Sequence, residues 1–353
     1  MLPYSRHTIT DQDIEAVVEC LKSGSLARGS YVARLEDVLK ERAGYRYAVA
    51  FCNGTCALYA AIVAAEVGEV WSPSLTFGAV ANATLLAHRQ LQLVDTQPDT
   101  MLANFYGAKD DGDCAWVPMD YAGYPHPIGN SGEDPEDALV IRDACHSFGN
   151  NGSNNDGMQV VSFHPAKIVT SGEGGAVFTN DGFLYQALVS IRDNGRVMGE
   201  HVTLGLNYHM PEMCAALVLS QLERLPKNLK RRREIAGIYR RHWENDTRLI
   251  LQPDHPEHAY HLFVIRLSKE ARCSRESFRE RLARECQVGS QIHYRPIHKH
   301  PAFTGEFSDV DWSNMVNTDD AYERMVSIPL FPAMSDEQVV HVIESIDAIL
   351  GYS

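Results

Sequence analysis

The sequence predicts an α/β fold, a large α/β domain on an open mixed sheet followed by a smaller α+β module, and three observations carry the prediction. Short apolar runs alternate with helix-length segments between residues 47 and 179. Polar residues follow nearly every run, and beyond Pro226 the alternation gives way to helical periodicity with few strands. A chain of 353 residues exceeds one ordinary domain and falls short of three. The expected division is an N-terminal arm over 1–12, a large domain over 13–225 and a small domain over 226–353.

The elements follow in order. Thr10 and Asp13 have the spacing of a capping box, and Ile14, Val17, Val18 and Leu21 share one face of a surface helix that ends at Gly24. A second helix near 32–39 stops before Gly44. The strand-like runs 47–51, 70–71, 91–94, 115–117, 139–141 and 160–161 lead into Asn53-Gly54-Thr55, Ser72-Pro73, Asp95, Asp120, Asp143 and Ser162 respectively. In an open sheet ligands bind beyond the carboxyl ends of the strands, so these polar residues are candidates to meet around one ligand. After Gly174-Gly175 and the run 176–179, Pro211 suits a first helical position, and residues 213–225 stay apolar on one side. A further helix is expected over about 228–243, and a strand over 261–267.

Composition narrows the function classes. A net charge of −14 argues against a nucleic-acid partner, and the one basic run, 227–233, reads as the solvated face of a helix. No stretch approaches the roughly 18 unbroken apolar residues of a membrane span, and the first residues lack the apolar core of a signal peptide, so a cytoplasmic protein is expected. Eight cysteines without a CxxC pair read as reduced thiols rather than a metal knuckle. The His255, His258, His261 and His293, His298, His300 groups raise the alternative of a metal-dependent hydrolase. Pro256 interrupts any helix in the first group, and no partnering carboxylate spacing accompanies either, so no metal site is expected.

The chemistry concentrates in Ser162-Phe163-His164-Pro165-Ala166-Lys167 and the small-residue turn Gly172-Glu173-Gly174-Gly175. A lysine held in a loop after a buried strand has the access, restraint and neutral-amine fraction that imine chemistry requires. Asp143 follows another strand, where a carboxylate can pair with the pyridine nitrogen of pyridoxal 5'-phosphate (PLP) and keep it protonated. Opposite charges at about 4 Å gain about 4 kcal/mol at an effective dielectric near 20, before desolvation. Asn53-Gly54-Thr55 sits between a strand and a helix, where free N–H groups and the helix dipole favour an anion such as the cofactor phosphate. Thr55 and Ser162 each add a hydroxyl. Phe77 has a ring that can stack on the cofactor or serve as ordinary core.

Taken in order, Asn53-Gly54-Thr55, Pro73-Ser74-Leu75-Thr76-Phe77, Asp120-Tyr121-Ala122-Gly123, Asp143-Ala144-Cys145-His146, the Lys167 segment, Gly205-Leu206-Asn207-Tyr208 and His293-Tyr294-Arg295-Pro296-Ile297-His298 resemble the DegT/DnrJ/StrS family of nucleotide-sugar aminotransferases. The resemblance covers nearly the whole chain, and within the family it is nearest to the aminotransferases of the pseudaminic acid pathway. It implies a PLP fold-type I (aspartate aminotransferase-like) enzyme, active as a homodimer with shared sites. It also implies ping-pong transfer of nitrogen from L-glutamate, through pyridoxamine 5'-phosphate, to a UDP-linked 4-keto-6-deoxy-N-acetylhexosamine. By motif, Lys167 carries the cofactor, Asp143 pairs with the ring nitrogen, and His146 stands where many relatives have Gln. Gly54, Thr55 and Ser162 fall at the phosphate and Phe77 at the ring, while Asn207 reaches the partner subunit's cofactor phosphate.

Tyr4, Arg28, His293 and Tyr294 are candidates for sugar recognition, with Arg28 as the diphosphate partner. Relatives that dehydrate or deoxygenate replace the lysine by histidine, and Lys167 disfavours that chemistry. The same residues would also suit amination of a different nucleotide keto sugar (dTDP- or GDP-linked, or 3-keto) or a catalytically silent PLP-binding protein. The chain departs from the family pattern at His209, where relatives usually have Arg, and at Asn194-Gly195, where many have His-Gly. It is also short between Thr100 and Trp116 and between Gly129 and Ala138.

Overall fold

The computed structural model of the chain describes residues 1–128, 135–149, 157–304 and 312–351, so part of the short stretch between Gly129 and Ala138 lies outside the described residues. Two helices, α1 (Asp11–Lys22) and α2 (Ser30–Ala43), precede strand β1 (Tyr47–Phe51) and helix α3 (Gly54–Ala64). Then come β2 (Glu69–Pro73), α4 (Ala79–Leu86), β3 (Gln90–Val94), β4 (Cys114–Trp116), β5 (Leu139–Asp143), β6 (Met158–Ser162) and β7 (Gly175–Thr179). Helix α5 (Gly182–Arg192), the short hairpin β8 (Arg196–Val197) and β9 (Glu200–His201), and α6 (Glu212–Leu222) lead to the long α7 (Leu225–Trp243). The remainder holds β10 (Leu249–Leu251), β11 (Phe263–Leu267), α8 (Arg275–Arg284), α9 (Pro301–Thr304), α10 (Val316–Arg324), β12 (Met325–Ile328) and α11 (Asp336–Leu350).

Seven strands form one sheet in the order β1-β7-β6-β5-β4-β2-β3. β7 is antiparallel to both its neighbours, β1 and β6, and the other pairings are parallel, so all strands except β7 run the same way. Their carboxyl ends therefore share one edge, and the start of β7 lies there too. The strands alternate as a sheet covered on both faces must: Val49 and Phe51 of β1 join the cluster under α3, α4 and α5, while Ala48 and Ala50 join the opposite cluster with α2, α6 and Leu225. A second, three-stranded antiparallel sheet, β10-β11-β12, packs with α8, α11 and the C-terminal half of α7. Helix α7 joins both cores, Leu225 and Leu229 lying in one, Ile235, Tyr239 and Trp243 in the other. We infer that the division between the domains falls near its first turn.

Several local expectations change in the folded chain. Helix α1 has its capping box, with the Thr10 N–H donating to the Asp13 carboxylate at 2.8 Å, but its predicted apolar face does not turn inward. Asp13 and Cys20 are its buried residues, and Ile14, Val18 and Leu21 are exposed. The Asp13 carboxylate accepts from Ser220 Oγ at 2.7 Å and Arg224 Nη1 at 2.7 Å, which orients that side toward α6. The basic run 227–233 is not wholly solvated, because Arg232 is buried. Its Nη1 donates to the carbonyls of Tyr260 at 3.0 Å, His261 at 3.3 Å and Leu330 at 3.1 Å, tying α7 to the second module. Pro211 is the cap before α6 rather than its first residue. The strand expected over 261–267 begins at Phe263, because the Leu262 N–H donates to the Ala122 carbonyl at 3.1 Å.

The N-terminal arm lies on the second module. Leu2 bridges Val288, and the Leu330 N–H donates to the Tyr4 carbonyl at 3.2 Å. This contact fixes Tyr4 beside His293, their ring centroids 5.3 Å apart.

Candidate active site

The shared strand edge and the second module enclose a cavity of about 560 Å³. Tyr4, Gly54, Thr55, Phe77, Asp143 and Ser162 line it, as do Lys167, His293 and Tyr294. The first turn of α3 supplies an anion cradle. Asn53 Oδ1 accepts from the Cys56 N–H at 2.8 Å and the Asn53 carbonyl from the Ala57 N–H at 3.1 Å, and the Gly54 and Thr55 N–H groups have no partner among the described residues. The glycine is required by packing, since a Cβ on Gly54 would lie 2.7 Å from Ser162 Cβ. Gly175 is needed for the same reason, because its Cβ would meet the Asn53 backbone at 2.8 Å. The Gly174-Gly175 turn thus lets β7 close against the cradle.

Lys167 sits in the loop after β6, its N–H donating to the His164 carbonyl at 2.8 Å. Burial lowers its amine from the usual lysine range, against the attraction of Cys145 and Asp143. Asp143 ends β5 and accepts from the Cys145 N–H at 3.0 Å. Burial pushes its carboxyl up, and hydrogen bonds from Cys145 and the Lys167 charge only partly oppose that. Behind it, Asp120 pairs with Arg142 at 3.0 Å, and the Asp120 N–H donates to the Asp143 carbonyl at 3.0 Å, so the strand end is held from the rear.

His146 lies just behind the cavity wall and is fully buried. Its Nδ1 accepts from the Ala122 N–H at 3.2 Å, so the proton of the neutral ring is on Nε2, 2.8 Å from Tyr294 Oη. The ring stays neutral, because burial, then the charges of Lys167, His261 and His293, hold it well below the ordinary histidine range. With His146 donating, the Tyr294 hydroxyl keeps its own proton for a partner in the cavity. Tyr121 and Ser74 position this wall from outside: the Tyr121 hydroxyl donates to the His293 carbonyl, and the Ser74 carbonyl accepts from the Ile297 N–H at 2.9 Å. His293 Nδ1 pairs with Ser327 Oγ at 2.8 Å, and burial lowers the ring to about 4.

Phe77 is 59% exposed, so it is not core; it lines the cavity with its ring 5.7 Å from that of Tyr294. Three predicted residues lie outside the cavity lining of this chain: His146, behind its wall, and Arg28 and Asn207, away from it. Arg28 pairs with Asp193, and Asn207 is exposed on the same face, where it bridges Asp193. Cys145, Glu173 and His261 also line the cavity and were not among the expected site residues, His261 having been weighed only as a metal ligand. Cys145 and Glu173 stand two residues from Asp143 and Gly175, so the strand-end pattern could have marked them. For His261 no local pattern pointed to this cavity; its ring reaches His146 at 4.3 Å only because the second module docks on the Ala122-Gly123 turn. Among the described residues no group of three or more His, Cys, Asp or Glu is placed to hold a metal ion.

The residues fit PLP. An anion cradle, a lysine of lowered basicity and a buried carboxylate with no ion pair among the described residues share one cavity, and a protonated heterocycle nitrogen would supply that partner.

Comparison with known proteins bears on the fold and the family. A curated relative from Methanocaldococcus jannaschii, named only as the uncharacterized protein MJ1066, is 27% identical over 389 aligned residues, covering 99% of this chain and 98% of that one. Among solved structures, Helicobacter pylori PseC, described as an aminotransferase in the biosynthesis of pseudoaminic acid, superposes with a TM-score of 0.89 at 24% identity over 99% of each chain. The sugar aminotransferase CalS13 from Micromonospora echinospora superposes with a TM-score of 0.88 at 23% identity over 99% of this chain and 100% of that one. Both share the fold-type I architecture. The model of the DegT/DnrJ/EryC1/StrS aminotransferase family matches residues 7–347, and the chain therefore belongs to that family of PLP-dependent aminotransferases.

Proposed function

We propose that the protein transfers an amino group from L-glutamate to the keto carbon of a nucleotide-linked sugar, a UDP-linked 4-keto-6-deoxy-N-acetylhexosamine being the substrate we favour. The observation that carries the reading is the convergence of Lys167, Asp143 and the Gly54-Thr55-Ser162 cradle on one cavity that also opens to Tyr4, His293 and Tyr294. Bound PLP supplies an electron sink at its protonated ring. Asp143 holds the ring proton, and the cradle holds the phosphate with the help of the α3 dipole. With the cofactor held there, the Lys167 amine would take the donor's α-proton and, in the second half-reaction, would deliver a proton to the sugar carbon. The lowered basicity of its buried amine suits both tasks. Tyr294, oriented by His146, presents a hydroxyl donor toward the reacting groups.

We further infer a homodimer with shared sites. Asn207 lies in a segment whose Met198, Val202, Leu204 and Leu206 are all exposed, and apolar exposure of that extent is characteristic of an interface. Arg28 occupies the same face, sharing the Asp193 carboxylate with His209 Nε2 at 3.2 Å. In this reading both Asn207 and Arg28 serve the partner's cavity, Asn207 at the cofactor phosphate and Arg28 at the nucleotide diphosphate. No described helix is long and apolar enough to cross a membrane. The cytoplasmic location we infer rests on the substrate class, a nucleotide sugar.

The test is a panel of UDP- and dTDP-linked 4-keto and 3-keto sugars offered with glutamate, the products identified by mass and NMR. Amination of a UDP-linked 4-keto sugar is the expected result, and amination of 3-keto sugars alone would overturn the substrate. Borohydride reduction and digestion should place a pyridoxyl mass on the peptide containing Lys167; its absence there would overturn the cofactor assignment.

A further inference from the structure

The second module brings to the cavity a polar side chain that has no role in the transfer described so far. His261 lines the cavity yet is only 5% exposed. The backbone on either side fixes its place. The Ala259 N–H donates to the Gly123 carbonyl at 2.8 Å, the Leu262 N–H to the Ala122 carbonyl at 3.1 Å, and the His261 carbonyl accepts from Arg232 Nη1 at 3.3 Å. The fit is close, because a Cβ on Gly123 would lie 3.0 Å from the His261 backbone nitrogen. Within this frame the imidazole has no hydrogen-bond partner among the described residues. Its Nδ1 is sealed and unpaired, whereas Nε2 is not sealed, so the ring opens to the cavity through Nε2. Burial holds the ring well below the ordinary histidine range, with the Lys167 charge adding more than any other neighbour, and it is therefore neutral. A neutral imidazole that must leave one nitrogen sealed keeps its proton on the other, because buried N–H groups are the less often left orphaned. His261 thus turns an N–H donor into the cavity.

A second donor stands beside it. The His261 ring lies 4.3 Å from that of His146, whose Nε2 is 2.8 Å from Tyr294 Oη, so His261 and the Tyr294 hydroxyl share one wall. Both donors are uncharged. Among the described residues that line the cavity, Lys167 is the only lysine or arginine. A carboxylate calls for a guanidinium or an ammonium, whereas neutral donors match the neutral oxygens of a sugar. Lys167 is also the leading charge acting on His146 and His293, as it is on His261, so this wall faces the reacting amine. The oxygen it meets therefore lies next to the reacting carbon. We propose that His261 determines sugar specificity, its Nε2–H donating to the hydroxyl oxygen on the carbon beside the keto group, the 3-hydroxyl of a 4-keto sugar. A sugar without that hydroxyl leaves the donor unpaired in a closed site and is rejected for that reason. The inference rests on the sugar aminotransferase reading above.

The test follows the two half-reactions of the holoenzyme in single turnovers. Glutamate is scored by loss of PLP absorbance, and the UDP-linked 4-keto sugar and its 3-deoxy analogue by its return. The parent should prefer the hydroxylated sugar by about tenfold, the worth of one hydrogen bond. His261→Phe keeps a ring against His146 without a donor. It should slow the sugar half-reaction by about the same factor, erase the preference, and slow the glutamate half-reaction far less. Its melting temperature should not fall, because the substitution also removes the unpaired Nδ1. His261→Gln, which extends an N–H toward the Nε2 position, should restore part of the preference, a rescue that a purely structural role does not predict. His261→Asn, whose amide reaches only the Nδ1 position, replaces the phenylalanine variant should that one misfold. Deleting the hydroxyl and replacing His261 should overlap in effect; losses that simply multiply overturn the proposal. A parent indifferent to the hydroxyl, or a glutamate half-reaction slowed as much as the sugar one, overturns it too. A parent that reacts with glutamate but returns nitrogen to no keto sugar defeats the substrate reading itself, and the role of His261 falls with it.

Discussion

Asp120 and Asp143 are linked through the backbone, the Asp120 N–H donating to the Asp143 carbonyl at 3.0 Å, and both side chains are buried. Their surroundings differ completely. The Asp120 carboxylate receives Arg142 Nε at 3.1 and 3.0 Å, Arg142 Nη2 at 3.0 Å, the His126 N–H at 2.8 Å and the Ser147 hydroxyl. Asp143 receives the Cys145 N–H at 3.0 Å and faces the cavity without a guanidinium. Burial therefore does not separate a functional carboxylate from a structural one. Incomplete satisfaction does, because a fold that leaves a buried charge unpaired incurs a cost that only a ligand can offset.

The largest expected effect lies on the unfinished side. Lys167→Ala should lower transamination on the order of a thousandfold or more, with circular dichroism unchanged, as measured with glutamate and the accepted sugar. Asp143→Asn should cost on the order of a hundredfold, the scale on which an adjacent opposite charge favours protonation of the ring. Its cofactor-free form should unfold no more easily than the parent. The sign follows from the raised carboxyl: with the folded value above the unfolded one, ionisation opposes folding, and that penalty grows as pH rises through the folded value. Asp120→Asn should do the reverse, losing about 3 kcal/mol of stability in a denaturant titration, because the buried Arg142 loses the carboxylate charge it pairs with. Equal stability losses in the two variants would break the comparison.

Smaller effects sharpen it. Tyr294→Phe should reduce the rate about tenfold, the worth of one hydrogen bond in the cavity, and lower stability by about 1–3 kcal/mol, because the buried His146 Nε2–H loses its acceptor. Asp13 is a second finished carboxylate: burial raises it, but the hydrogen bonds from Arg224, Thr10 and Ser220 prevail and hold it below the usual carboxylate range. Its contribution is complete above the unfolded value, about 3.9, and is lost as pH falls through the lower folded value. Asp13→Asn should therefore flatten the stability loss measured between about pH 4 and pH 2.

The strands, their order along the chain and the polar residues at their ends were legible because alternation, capping and turn chemistry are written in near neighbours. Residues 47–51 are strand β1 as expected, and the Thr10–Asp13 box is present. The same locality explains how Asn53-Gly54-Thr55, Asp143, Ser162 and Lys167 could be picked out, each being a short segment after a strand. Other features depend on adjacency that no local pattern encodes. That β7 alone runs against the sheet, that Ile14, Val18 and Leu21 face outward, and that Arg28 shares a face with Asn207 follow from how distant elements pack. His261 joins His146 for the same reason, two modules closing over the Ala122-Gly123 turn. Local hydrogen bonds and side-chain periodicity determine the elements, whereas long-range burial selects which of their faces meet, and that selection made the cavity.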